Sequence, residues 1–250
     1  MSERPVVLGG VPTRVTDEGA GPAIVLVHAT PFDLDYWSGL AAALRADHRV
    51  IRYDLPGHGV AADADVPSTG RLVADLVDLL DVLDLPTVHV VGHSLGATVG
   101  QCFALTHPGR VRRLSLLGAR ASPSPLFATL AGALRQDVAV ADISINRWFT
   151  ASQLARNGAA VQYARARVEG TRVAVWADGL DRLADTDVLA DLPRLTIPVD
   201  VIVGEDDHGA EPEHGRTIAD AVTGARFHRI ARARSLLALQ RPELVVPLLR

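Results

Sequence analysis

The stretch 87–96, Thr87-Val88-His89-Val90-Val91-Gly92-His93-Ser94-Leu95-Gly96, decides how the rest of the chain is read. Residues 87–91 are mostly β-branched and apolar, the pattern of a buried strand, and a helical apolar run follows from 95 to 106. Between them lies Gly-x-Ser-x-Gly in the context that gives it meaning, a sharp strand-to-helix turn presenting a nucleophile. The turn is so tight that side chains at 92 and 96 would collide with neighbouring backbone. Ser94 is thereby held strained with its hydroxyl exposed, and the N-terminus of the next helix favours negative charge developing there. An ordinary serine cap on a βα turn is the plainer alternative, and the strand-to-helix setting argues against it.

Working outward, apolar runs bounded by turn residues alternate with helical periodicity, which signals a mostly parallel sheet with crossover helices. Strands are expected at 5–10, 12–17, 23–28, 48–54, 87–92, 111–118, 199–204 and 225–230, eight in all. Helices are expected at about 35–46, 69–83, 95–106, 212–222 and near the C-terminus. In 69–83 the residues Leu72, Val73, Leu76, Leu79, Leu80 and Leu83 form one broad apolar stripe. The rhythm breaks over 121–192, which opens on Ser122-Pro123-Ser124-Pro125 and is helical in composition. The expected organisation is an α/β core from 1–120 and 193–250, with 121–192 inserted as a helical lid over the C-terminal edge of the sheet.

Composition narrows the function. A 250-residue chain that is 48% hydrophobic can bury one large core. Its net charge of −4 supplies no basic field for nucleic acid. Cys102, the single cysteine, excludes an intrachain disulfide and a cysteine-based metal site, and the histidines are scattered, so no metal is expected. No phosphate loop or dinucleotide fingerprint occurs, so no cofactor is expected either. Residues 1–10 do not read as a signal peptide, and no apolar run reaches membrane-spanning length. The expectation is a cytoplasmic enzyme acting on a small carbonyl compound, with neither nucleic acid nor membrane as partner; a homodimer stays open.

Two further loops join Ser94. His28-Ala29-Thr30-Pro31 follows the strand at 23–28, where such sites place one oxyanion donor, and Thr30 is the candidate. The other donor is the backbone N–H of Leu95, next to the nucleophile. His28 and His58 read as braces of loops rather than as bases. Gly204-Glu205-Asp206-Asp207 ends the strand at 199–204, and a carboxylate there orients a histidine opposite the serine. Asp207 is first by position, ahead of Asp206 and Glu205.

With these stretches the chain resembles the α/β-hydrolase superfamily over nearly its whole length, and within it the 3-oxoadipate enol-lactonase group. The resemblance rests on 92–100 (GHSLGATVG), 106–114 (THPGRVRRL), 197–207 (IPVDVIVGEDD) and Arg147-Trp148-Phe149-Thr150 in the expected lid. It implies an α/β-hydrolase fold and a serine-based esterase or lactonase, with Trp148 either lining the pocket or anchoring the lid. It also implies a catalytic histidine in the loop after the last strand, seven residues before the proline of Gln240-Arg241-Pro242-Glu243. At that position stands Ser235, so the triad is incomplete. A serine hydroxyl is a weak nucleophile without a neighbouring base, and losing the histidine of such a triad costs on the order of 10⁶ in turnover. Three explanations stay open. His208 beside Asp207, or His214, acts as the base; a histidine has been exchanged for serine; or the oxyanion hole serves chemistry without serine activation, such as cyclisation, decarboxylation or lyase cleavage.

Overall fold

A computed structural model describes residues 2–136 and 139–250. Eight strands form one sheet in the order β1-β2-β4-β3-β5-β6-β7-β8. They are β1 (Ser2–Leu8), β2 (Val11–Glu18), β3 (Ala23–Val27), β4 (Arg49–Tyr53), β5 (Val88–His93), β6 (Val111–Leu117), β7 (Val199–Gly204) and β8 (Arg226–Ile230). Only β2 runs against the rest, pairing antiparallel with both β1 and β4. All other pairs are parallel. The central strands β3, β5 and β7 are buried at every residue, which is why they read as unbroken apolar runs rather than as alternation.

The crossover helices α1 (Ser38–Leu44), α2 (Thr69–Val82) and α3 (Leu95–Thr106) follow the sequence pattern. Ser68 caps α2 by accepting the Arg71 N–H at 3.3 Å, and Leu72, Val73, Leu76, Leu79 and Leu80 turn inward as expected. The helix expected over 35–46 is broken in two. A 3-10 turn over Leu34–Trp37 precedes α1, because the Asp33 carboxylate accepts the Asp35 N–H at 3.0 Å and starts the chain in a tight local turn.

Between β6 and β7 stand, among the described residues, five α-helices, α4 (Pro125–Arg135), α5 (Val140–Trp148), α6 (Ala151–Arg156), α7 (Ala159–Gly170) and α8 (Val173–Ala184), and a 3-10 helix over Leu189–Arg194. This is the segment read from composition as a helical insertion. It is tied to the core through the β3–α1 loop: Tyr163 on α7 donates to Asp33 at 2.7 Å and Arg167 at 2.6 Å. After β7 come α9 (Pro212–Ala221), α10 (Leu237–Gln240) and α11 (Pro242–Leu249), the last two split at Arg241-Pro242. Among the described residues no helix is long and apolar enough to cross a membrane.

Candidate active site

The turn at 92–96 explains itself sterically. A Cβ on Gly92 would run into the carbonyl of Gly96, and one on Gly96 into the carbonyl of Val27 on the neighbouring strand. With both positions stripped to hydrogen, the chain reverses within one residue, and Ser94 takes φ 53°, ψ −112°. A non-glycine residue there stores about 1–3 kcal/mol of strain. The Ser94 N–H, bonded to Leu117 O on β6 at 3.1 Å, pins the turn to the sheet. The hydroxyl stands at the N-terminus of α3, on a cavity of about 660 Å³ including its open mouth.

Thr30, Ser94, Asp207 and Ser235 all line this cavity, together with Trp148 and Trp176 from the helical segment. Neither the Thr30 nor the Leu95 backbone N–H is bonded to another group among the described residues. The loop carrying Thr30 is braced by two buried histidines whose tautomers follow from their partners. His28 Nε2 accepts the Leu55 N–H at 2.9 Å, so its Nδ1 carries the proton given to Ala29 O at 3.0 Å. His58 Nδ1 donates to Pro56 O at 3.0 Å, so its Nε2 accepts from the Thr30 hydroxyl, also at 3.0 Å. Burial drives both toward the neutral form, His28 to about 4 and His58 to about 3.

Asp207 and Ser235 are brought together by the loops after β7 and β8, which are stitched by Glu205 N–H to Ile230 O and Asp206 N–H to Ala233 O, both 2.9 Å. Asp207 is buried. Its Oδ1 accepts from the Ser235 hydroxyl at 2.5 Å, the Gly209 N–H at 2.8 Å and the Ala210 N–H at 3.1 Å. Desolvation raises its pKa, against the pull of those donors and of the Arg147 charge. The neighbouring acids point elsewhere: Asp206 is exposed, and Glu205 pairs with Arg229 at 3.0 Å.

No histidine takes up the position that Ser235 occupies. His208 is exposed and lies outside the cavity lining; only its backbone carbonyl is used, as acceptor for the Arg147 guanidinium. His214 lines a separate small recess with Arg120. His228 is bonded to Asp200 at 2.8 Å, near the start of β7 and away from the C-terminal edge. His93 does line the cavity. It is buried and stacked on Tyr36 at 5.2 Å, and its Nδ1 has no partner. Desolvation lowers its pKa to about 4, with the Ser235 backbone opposing, so it is a poor acceptor for a serine proton near neutrality.

Arg147 is the residue that the sequence signal touched without marking. It was legible only as part of the Arg147–Thr150 run, yet it lines the cavity and its charge faces Asp207. The run is held from the loop that carries Ser235. Arg234 donates to the carbonyls of Asn146 at 2.8 Å and Phe149 at 2.9 Å, capping the end of α5, and Gln240 donates to Trp148 O at 2.8 Å. Trp148 is half-buried, 5.2 Å from Phe32 and 6.2 Å from Trp176, so it both lines the cavity and packs the helical segment onto the core. Among the described residues no group of three His, Cys, Asp or Glu side chains could hold a metal ion.

A family model described as alpha/beta hydrolase fold matches residues 22–242. The 2-hydroxy-6-oxo-2,4-heptadienoate hydrolase of Pseudomonas putida is 37% identical over 121 residues, 46% of this chain and 44% of that one, so the chain spans less than half of that relative's length. The 3-oxoadipate enol-lactonase 2 of Acinetobacter baylyi is 28% identical over 74% of this chain and 72% of its own. Among solved structures, the enol-lactonase from Burkholderia xenovorans LB400 superposes with a TM-score of 0.90 at 26% identity, covering 98% of this chain and 97% of that one. The similarity to lactonases read from the sequence is therefore present in both comparisons.

Proposed function

The chain belongs to the alpha/beta hydrolase fold family, and on that premise we propose that it is an acyl-transfer enzyme of the serine-hydrolase type, acting on a small ester, enol-lactone or related acyl compound through Ser94. The observation that carries the reading is the strained Ser94 at the end of α3, opening on one cavity with two unused N–H groups and a buried acid. Ser94 Oγ would attack the carbonyl carbon, and the oxygen, gaining charge, would lie between the Thr30 and Leu95 N–H groups. Residues 121–192 would act as a lid, with Trp148 and Trp176 shaping the acyl pocket. The compartment proposed is the cytoplasm, and the partner a small carbonyl compound.

The weak point of this chemistry is proton transfer. Ser235 presents a hydroxyl to Asp207 where an imidazole would relay the Ser94 proton, and a hydroxyl has no basicity to offer near neutral pH. That pair favours a second reading, in which the N–H groups polarise a carbonyl and the reaction is a cyclisation, decarboxylation or lyase cleavage needing no serine attack. The readings separate on covalent labelling. A fluorophosphonate should modify Ser94, slowly in the native chain and faster in Ser235→His, and Ser94→Ala should carry no adduct. A folded protein with no adduct on Ser94 in either form would overturn the serine-nucleophile reading in favour of the second.

A further inference from the structure

Asp207 is only 3% exposed, and its two oxygens are treated unequally. Oδ1 takes three donors, whereas Oδ2 takes none among the described residues, and Asp207 lines the cavity that also holds Ser94. The Ser235 hydroxyl has already given its single proton to Oδ1. Arg147 contributes charge but spends a donor on the His208 carbonyl. Oδ2 is thus the oxygen left open on the cavity, with lone pairs for an N–H arriving there.

Resting on the reading of Ser94 as nucleophile, we propose that the space between Asp207 Oδ2 and Ser94 is a binding site for a small planar azole base, held by its N–H on Asp207 with its second nitrogen turned to Ser94 Oγ. An ammonium ion would satisfy Asp207 but has no lone pair to take a proton, and it would meet Arg147 as a like charge. A neutral azole avoids that repulsion on entry and becomes cationic only during the reaction, when Asp207 stabilises it. The aromatic faces of Phe32, Trp148 and Trp176 on the same cavity suit a flat ring.

The step balances without consuming the azole. The Ser94 proton passes to the free azole nitrogen as Oγ bonds the carbonyl carbon, and the C=O π pair moves to oxygen. Collapse breaks the bond to the leaving oxygen, which takes the proton from the azolium. Water then repeats the sequence on the acyl-enzyme, and its proton returns through the azole to Ser94 Oγ.

The experiment follows p-nitrophenyl acetate hydrolysis by the native protein against imidazole concentration, with the same series on Ser94→Ala subtracted. The enzyme-dependent rate should saturate, at on the order of 10²-fold above the rate without imidazole. 1-Methylimidazole, equally basic but without an N–H, should give little, and Asp207→Asn should lose the imidazole response. Ser235→His, which carries its own ring, should be indifferent to imidazole. A linear response matching Ser94→Ala, or equal activation by 1-methylimidazole, would overturn the site. If Ser235→His is active while imidazole leaves the native protein unchanged, the azole site falls and the nucleophile stands. If Ser94 is unlabelled by fluorophosphonate and Ser235→His is inert, both fall.

Discussion

The Ser235 hydroxyl lies 2.5 Å from Asp207 Oδ1, so this buried acid is bonded to a group with no basicity at neutral pH. An oxygen donor at this separation from a carboxylate makes a charge-assisted bond. Asp207 is thus buried and held by three donors, none of them an imidazole.

Desolvation of Asp207 sets a stability cost that can be measured. Its folded pKa is raised, so the folded protein holds that proton more tightly than the unfolded chain, and stability is lost as pH rises from the unfolded value of about 3.8 through the raised one. Asp207→Asn keeps an oxygen for the Gly209 and Ala210 N–H groups and removes the charge. It should gain about 0.5–2 kcal/mol at pH 7, a few degrees in Tm, and the gain should vanish near pH 3. Urea melts at the two pH values check this.

Acid should unfold the protein through its buried histidines. His28 and His93 are lowered to about 4, His58 and His89 to about 3, each chiefly by desolvation. The unfolded chain binds these protons near 6.5 and the folded one does not, so stability is full above 6.5 and falls as pH drops toward 4. Each contributes a slope of up to about 1.4 kcal/mol per pH unit. Four such groups outweigh Asp207, whose slope is opposite. The urea midpoint should therefore drop steeply between pH 6.5 and 5, and a flat profile there would contradict neutral, buried rings.

The tie between α7 and the β3–α1 loop should be local. Tyr163→Phe removes the 2.7 Å bond to the Asp33 carboxylate and the 3.4 Å bond from the Asp33 N–H, and leaves Arg167 in place. The expected loss is about 1.5–3 kcal/mol, the range for a hydrogen bond to a charged group. Amide exchange should speed up over 159–170 and in the loop at 29–35, with β5 and β6 unchanged.

Most of the core was legible in the sequence because its signals are local. The apolar runs at 23–27, 88–93 and 199–204 mark strands buried on both faces, and the elbow at 92–96 is written in the only residues its sterics allow. Asp207 could be ranked above its acidic neighbours by position, and the structure buries it while Asp206 stays in solvent. Other features arise from contacts distant in the chain. Asp33 meets Tyr163 across 130 residues and Arg167 across 134, Arg147 reaches the His208 carbonyl across 61, and Arg234 caps the end of α5 across 88. No periodicity or spacing encodes such meetings. His208 stayed open as a base only because it follows Asp207, although a residue adjacent to its own orienting acid rarely reaches the serine in a good line. In a tight turn successive side chains diverge, and this one faces solvent.

Ser235→His tests most directly the proposal that Ser94 is an acyl-transfer nucleophile without its usual base. Rates against small p-nitrophenyl esters and enol-lactones should rise by on the order of 10³-fold or more over the native chain, along a pH profile climbing through about 6–7, and should collapse in Ser94→Ala/Ser235→His. A folded Ser235→His protein with native-level rates on every ester and lactone would contradict the account, and the search would move to carbon–carbon bond chemistry.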